Sequence, residues 1–260
     1  MVTLPGEKSI STKTQQLLQK TLLNWQQWQT TSKLDYQPEV VRELVGGRTN
    51  KTFLVAAGDF QAVVRINSLV SSKLGIDRQR EARILGLLQS TGLVPKVYFI
   101  DAEVLVSEFI EGDCLNSKSL KNTRIMESLS AALRLVQSVK MPDGIPRNYL
   151  EYCQNYFAHL NGEIVSLSVK EQIEAAALEV DTEEWEPVIC HHDMVPENII
   201  LNERGLFIID WEYAALGHPR LDFIRLYDGD YGLTGQQEGA MRSLFKVKQA
   251  MDKLWLAVQL

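Results

Sequence analysis

Two short apolar runs that end next to polar residues place the strongest constraint on how this chain can fold. Residues 199–201 and 206–209 are apolar, and the turn-forming sequence at 202–205 separates them, which predicts a β-hairpin. Asn198 comes directly before the first run, and Asp210 comes directly after the second. The predicted hairpin therefore folds Asp210 back beside Asn198.

Asp193 lies five residues before Asn198 and adds a second carboxylate to this segment. Transfer of a γ-phosphoryl group to an alcohol needs a carboxylate that orients the hydroxyl and accepts its proton, and oxygen ligands that hold Mg²⁺ against the triphosphate. Mg²⁺ prefers carboxylate and amide oxygens. Asp193 is thus the candidate base, and Asn198 and Asp210 are the candidate metal ligands. A single Asp or Asn would more often form a turn or a helix cap, so the prediction depends on all three.

The stretch from Val188 to Phe223 resembles the aminoglycoside phosphotransferase and choline kinase superfamily, with its His-x-Asp-x-x-x-x-Asn loop and later Ile-Asp-Trp. Its sequences at 195–198 and 210–213 are most similar to those of bacterial choline kinases and thiamine kinases. The resemblance implies an α+β, protein-kinase-like fold of two lobes: a small antiparallel-sheet N-lobe with one crossing helix, and a mainly helical C-lobe. It also implies that Asp222 supports the catalytic loop, although a helix-start carboxylate is the alternative. We interpret His191 as a brace of that loop and leave His192 open.

The segment from Leu44 to Val55 consists of an apolar run, a glycine turn and a second apolar run, which suggests a strand, a phosphate-facing loop and a strand. Glycines let backbone N–H groups approach phosphate oxygens, although most glycine pairs form simple hairpin turns. The segment is similar to the Gly-Gly-x-Thr-Asn-Lys segment of choline kinases. That similarity implies that Gly47, Thr49 and Asn50 lie near the phosphates of a bound nucleotide.

Two further segments carry nucleotide-binding candidates. Kinases place a cation for the α and β phosphates on a strand, where a helix carboxylate holds it, and Arg65 and Glu81 fill these places. The alternative is a weak surface ion pair, which the apolar strand around Arg65 disfavours. In the resembling family, the stretch after the next buried strand is the hinge. Backbone groups from Glu108 to Ile110 would bind adenine there.

Periodicity predicts an N-terminal lobe rich in strands over 1–112 and a helical C-terminal lobe over 113–260, with the active site expected in the cleft between them. The predicted helices span 12–29, the segment around Glu81, 124–139, 149–178 and 236–260, and the predicted strands fall near 38–46, 52–57, 60–67, 96–100 and 103–109.

Composition limits the possible partners. With 260 residues, 45% of them hydrophobic, the chain can bury a sizeable core. The net charge of -6, without a cluster of Lys or Arg, argues against nucleic acid. No long apolar run or export signal is visible, so we expect no membrane insertion. The three scattered cysteines predict reduced thiols and a cytoplasmic location.

The predicted substrate contacts follow the candidate metal ligand Asp210. Tyr213, Glu212 and Asp228 offer a ring face and carboxylates that attract a cation, whereas Trp211 is explained at least as well as a core residue. The sequence thus predicts an ATP- and Mg²⁺-dependent kinase of a small cationic alcohol, choline-like, ethanolamine-like or thiamine. An aminoglycoside phosphotransferase and a nucleotide-binding pseudokinase remain alternatives. The acceptor, the choice of ATP over GTP and the oligomeric state stay open.

Overall fold

A computed structural model describes residues 11–45, 49–68, 71–160, 165–226 and 236–258, with the backbone alone at 71–72 and 236–240. The chain forms two compact units. One comprises Met1–Leu69 with Lys96–Phe109, and the other comprises Val70–Pro95 with Ile110–Leu260. The predicted division into lobes at residue 112 stays a prediction.

The first unit is one helix packed on a five-stranded antiparallel sheet. The strands lie in the order β1-β2-β3-β5-β4. Leu22 and Trp28 pack with Val55, Val64 and Val106 in its core. Its elements are α1 (Thr12–Leu23), β1 (Glu39–Leu44), β2 (Lys51–Ala57), β3 (Phe60–Ile66), β4 (Val97–Ile100) and β5 (Val104–Glu108).

The five predicted strands are confirmed to within two residues at each end, whereas the predicted helix over 12–29 is too long. The helix begins after Ser11, whose side chain accepts the backbone N–H of Thr14. It ends at Leu23, and Asn24 at the C-cap donates both its backbone N–H and its side-chain amide to the carbonyl of Lys20. A short 3-10 turn over Trp25–Gln27 follows.

The second unit is mainly helical. Its core contains Tyr156, Ala177, Leu221 and Leu244. The predicted mostly helical stretch over 149–178 contains two helices, and the second begins after Ser166, whose hydroxyl accepts the N–H of Val169. Its elements are α2 (Arg78–Leu88), α3 (Thr123–Ser138), α4 (Tyr149–His159), α5 (Leu167–Thr182), β6 (Val188–Cys190), β7 (Ile199–Asn202), β8 (Gly205–Ile208), β9 (Ala215–Gly217), α6 (Leu221–Leu226) and α7 (Gln236–Val258).

The hairpin predicted from the two apolar runs is confirmed. Strands β7 and β8 pair antiparallel, with Ile199 opposite Ile208 and Asn202 opposite Gly205. The ladder continues past the strand ends, where the N–H of Ile209 donates to the carbonyl of Asn198 at 2.9 Å. Within the described residues, no helix combines the length and the apolar character that a bilayer-spanning segment needs.

Candidate active site

The loop at 191–198 presents Asp193 between strand β6 and a 3-10 turn over Pro196–Asn198. The amide nitrogen of Asn198 donates to the backbone carbonyl of Asp193 at 2.9 Å and contacts its Oδ2 at 3.2 Å. A guanidinium nitrogen of Arg225 lies 2.8 Å from its Oδ1. The carboxylate is thus held from both sides, while 35% of the side chain stays exposed. A partly exposed and firmly held carboxylate is what a candidate base requires.

The ring of His191 braces this loop, as the sequence analysis predicts. Its Nδ1 accepts the N–H of Asp193 at 3.3 Å, and its Nε2 lies 2.9 Å from the carbonyl of Ile209. A neutral imidazole that carries its proton on Nε2 satisfies both bonds. The indole ring of Trp211 packs against His191 with the ring centroids 4.7 Å apart, and Trp211 is 2% exposed. Trp211 is therefore a core residue.

Asp222 supports the same loop from α6. It is buried, and its two carboxylate oxygens accept the N–H groups of His191 at 2.7 Å and His192 at 3.0 Å. Burial raises the pKa of Asp222, and the two N–H donors oppose this rise. These bonds hold His192 at a φ of 65°, in the left-handed region that non-glycine residues seldom occupy. The fixed backbone of His192 therefore determines the direction in which the side chain of Asp193 projects from the loop.

The donor set of Asn198 and Asp210 fits a magnesium ion. Because the amide nitrogen of Asn198 is committed to Asp193, its amide oxygen is the atom that can serve a metal. Asp210 adopts a φ of 60° directly after the hairpin, a conformation that Asp tolerates better than most residues. One amide oxygen and one carboxylate are hard ligands of the kind that Mg²⁺ prefers. The predicted ligand roles of Asn198 and Asp210 stay predictions.

A pocket of about 270 Å³ lies beside Asp193 in the second unit. Aromatic side chains from three segments line it, namely Tyr152, Tyr156, Tyr213 and Trp255. Tyr152 and Tyr156 are hydrogen-bonded to each other at 3.0 Å, and the hydroxyl of Tyr213 accepts the indole N–H of Trp255 at 2.6 Å. Burial raises the pKa of Tyr156 and of Tyr213, so both hydroxyls stay neutral. Since their polar ends are already hydrogen-bonded, these side chains offer mainly ring surface to a ligand.

The three predicted substrate residues have different surroundings. Tyr213 lines the pocket. Glu212 is buried, and its Oε2 lies 3.0 Å from Arg78, whose other terminal nitrogen lies 2.9 Å from Glu81. Asp228 lies outside the described residues. A direct contact of any of the three with the acceptor stays a prediction.

The candidate nucleotide residues of the first unit are grouped near the end of β3. Asn50 Oδ1 accepts the N–H of Ser68 at 3.1 Å, and Thr49 lines a cavity of about 260 Å³ that Ser68 also lines. Arg65 donates from Nε to Asn67 at 3.0 Å. Gly47 lies outside the described residues. The phosphate-binding roles of these residues stay predictions.

Of the residues predicted to form the hinge, Glu108 belongs to the first unit and Ile110 to the second. The backbone N–H of Glu108 donates to the carbonyl of Lys96 at 2.8 Å, so this donor is already used inside the sheet. Ile110 is buried with Ile200 and Phe207 in the second unit. Adenine binding at 108–110 and the pairing of Arg65 with Glu81 stay predictions.

Sequence reasoning missed several pocket residues. Arg225 and Asp252 line the pocket together with Tyr152, Tyr156 and Trp255. The available signal was helical spacing: the tyrosines are four residues apart on α4, and Asp252 and Trp255 are three apart on α7. Such spacing puts two side chains on one helix face, but it does not show whether that face meets a core or a cavity.

We predict that His218 makes the protein less stable in acid. It is buried, and burial followed by the charge of Arg220 lowers its pKa from 6.5 to about 4. Between these two pKa values, His218 is protonated in the unfolded chain and neutral in the folded protein. The free energy of unfolding therefore rises with pH in this window. The slope for one such group is roughly 1 kcal/mol per pH unit. Burial also lowers the pKa of His192, which acts in the same direction.

The test is urea unfolding of the wild type and of His218→Asn at several pH values between 4 and 6.5. The asparagine oxygen can replace Nδ1, which accepts the N–H of Arg220 at 3.1 Å. The variant should show a shallower pH dependence. His159→Asn makes the same change at an exposed position on α4 and serves as the control. Parallel curves for the wild type and His218→Asn would rule out this role of His218.

Comparison with known proteins gives a consistent picture. The sequence model of the phosphotransferase enzyme family matches residues 40–252. Ethanolamine kinase 1 of Mus musculus is 26% identical over 219 residues, which cover 74% of this chain and 60% of that protein. The chain thus spans less than two thirds of the length of this curated relative.

Two solved structures have the same fold. Choline kinase LicA from Streptococcus pneumoniae superposes with a TM-score of 0.71 at 22% identity, covering 95% of this chain and 91% of that one. LicA in complex with AMP superposes with a TM-score of 0.72 at 24% identity, covering 94% of this chain and 89% of that one. Both confirm the predicted protein-kinase-like α+β fold.

Proposed function

Because the chain belongs to the phosphotransferase enzyme family, we propose that it is an ATP- and Mg²⁺-dependent kinase that phosphorylates the hydroxyl of a small cationic alcohol. Asp193 is the base that accepts the hydroxyl proton, and transfer to the acceptor is direct. Asn198 and Asp210 would hold Mg²⁺, which would supply positive charge to offset the negative charge that develops during phosphoryl transfer. The similarity to an ethanolamine kinase and the shared fold with a choline kinase support this proposal.

The observation that carries the proposal is the position of Asp193 in the wall of an aromatic pocket. An alcohol bound there has its hydroxyl next to the base while its positive group lies among ring surfaces. Aromatic rings attract a cation by about 0.5–2 kcal/mol each. The carboxylate of Asp252 also lines this pocket and adds a negative charge. A ring-lined pocket with a carboxylate suits a cation better than a sugar.

The size and the hydrogen bonds of the pocket favour choline among the cationic alcohols. A volume of about 270 Å³ accommodates one small headgroup, whereas an aminoglycoside carries several rings. A primary ammonium needs three hydrogen-bond acceptors once it leaves water. The tyrosine hydroxyls are already engaged with each other, with Trp255 and with the carbonyl of Leu74. A quaternary ammonium donates no hydrogen bond and suits the ring faces best, whereas a primary ammonium would have to reach the carboxylates of Asp193 and Asp252.

For the nucleotide, Gly47, Thr49 and Asn50 are proposed to contact the phosphates. Arg65 is proposed to contact the α and β phosphates with Glu81 as its proposed partner, and the backbone of residues 108–110 is proposed to bind adenine. A structure of LicA contains AMP, which supports an adenine nucleotide over GTP.

The experiment measures ADP release with choline, ethanolamine, thiamine, an aminoglycoside and the neutral isostere in which carbon replaces the choline nitrogen. We expect the highest kcat/KM with choline and a value roughly tenfold lower with the isostere, because the isostere keeps the shape of choline and loses only the cation attraction. The isostere is a matched control, since it separates charge from fit.

Other outcomes identify the alternatives. A higher kcat/KM with the aminoglycoside would make the chain an aminoglycoside phosphotransferase. Nucleotide binding without ADP release for any acceptor would make it a pseudokinase. Equal kcat/KM values for choline and its isostere would contradict recognition of the cation.

A further inference from the structure

One buried guanidinium joins two carboxylates that line the pocket. Arg225, on α6, lies 2.8 Å from Asp193 through Nη2 and 2.9 Å from Asp252 through Nη1. Its side chain is only 6% exposed, whereas both carboxylates are more than one third accessible. Burial alone would lower the pKa of Arg225, but the charges of Asp252 and Asp193 outweigh this effect and raise it. Arg225 therefore keeps its positive charge.

This contact decides which oxygen of Asp193 can work as a base. The guanidinium of Arg225 lies 2.8 Å from Oδ1, whereas the contact that the described residues make with Oδ2 is the longer one of 3.2 Å from the amide of Asn198. A charged hydrogen bond is stronger than a neutral one, and the planar guanidinium also fixes direction. The carboxylate is thus turned so that Oδ2 is the oxygen that an acceptor hydroxyl can reach.

Asp252 in turn holds Arg225. It projects from α7, and its second oxygen lies 3.5 Å from the ammonium of Lys248. Since Asp193 belongs to the 191–198 loop, the guanidinium connects that loop to α7 through a single side chain. A change in the position of Asp252 would therefore move Arg225 and, with it, the carboxylate of Asp193.

We propose that Arg225 is a positioning residue through which Asp252 fixes the orientation of Asp193. This inference rests on the proposed function.

The test uses Arg225→Met, Arg225→Lys, Asp252→Asn and the double variant Arg225→Met/Asp252→Asn, assayed for kcat and KM with choline. Arg225→Met should lower kcat by about tenfold to a hundredfold, because a displaced base costs that much. KM should stay constant or fall, because the pocket becomes more negative. Arg225→Lys should recover only part of kcat, since an ammonium cannot grip two carboxylates with a planar fork.

The double variant separates positioning from packing. If Asp252 acts through Arg225, Asp252→Asn lowers kcat in the wild type and changes it little when Arg225 is already Met. Glu186→Gln makes the same carboxylate-to-amide change in an exposed ion pair with Lys140 and should leave kcat unchanged. Effects on kcat that multiply independently, or a raised KM with unchanged kcat, would overturn the proposal.

If the proposed function is wrong, the wild type itself does not release ADP with choline, which distinguishes this case from a failure of the positioning role. If the wild type releases ADP with another acceptor, the same four variants are assayed with that acceptor. If no acceptor supports turnover, crystal structures of Arg225→Met and Asp252→Asn supply the answer. A changed side-chain orientation of Asp193 in both variants supports the positioning role, and an unchanged one overturns it.

Discussion

Replacing Asp193 by Asn is expected to lower kcat by a factor of about a hundred to ten thousand, the usual contribution of a general base. The amide has the shape of the carboxylate, and its oxygen can still accept the hydrogen bond from Arg225, which now measures 2.8 Å. It cannot accept the proton of the acceptor hydroxyl. The loss should therefore appear in kcat, measured as steady-state ADP release with choline.

Binding of the nucleotide is the internal control for this variant. The nucleotide is assigned to other residues, so its dissociation constant for Asp193→Asn should lie near that of the wild type. Glu186→Gln again controls for the conversion of a carboxylate to an amide, because 79% of its side chain is exposed. Near-normal kcat for Asp193→Asn would refute the base assignment, and loss of nucleotide binding would show that the change disturbs more than proton transfer.

The hairpin of β7 and β8 could be predicted because everything that defines it is local. Two short apolar runs and a turn specify the pairing of Ile199 with Ile208, and the polar residues at its ends follow from the order of the chain. The strands of the first unit are predictable for the same reason, since each has its own apolar run and adjacent turn. The positions of Asn198 and Asp210 at the two ends of the hairpin could therefore be predicted from the sequence.

The wall of the pocket could not be predicted in the same way. Tyr152 comes from α4, Arg225 from α6 and Asp252 from α7, and only tertiary packing brings them together. Each of them satisfies the ordinary pattern of an amphipathic helix, which gives no sign of a cavity. The contact of the Glu212 carboxylate with Arg78 also depends on tertiary packing, and the predicted substrate contact of Glu212 stays a prediction.

The buried ion pairs of Arg78 lead to the largest expected loss of stability. The Arg78 side chain is 9% exposed and contacts Glu81, which is 1% exposed, and Glu212, which is 3% exposed. Replacing Arg78 by Met keeps an unbranched stem that can pack in the same place but removes the cation that both carboxylates contact. Loss of one partner from a buried ion pair costs about 3–5 kcal/mol, because a charge stays buried with less compensation. We expect a decrease of that size in the free energy of unfolding, measured with urea.

Lys170→Met is the matched control for Arg78→Met, because it also removes a helical cation that pairs with a glutamate. Lys170 and Glu174 are 3.9 Å apart, and 42% of the Lys170 side chain is exposed. An exposed pair contributes about 0–1 kcal/mol, so the control should unfold almost like the wild type. The contrast arises from burial, since water solvates Glu174 when its partner is lost but has little access to Glu81 and Glu212. Equal free energies of unfolding for the two variants would contradict a stabilising role of Arg78.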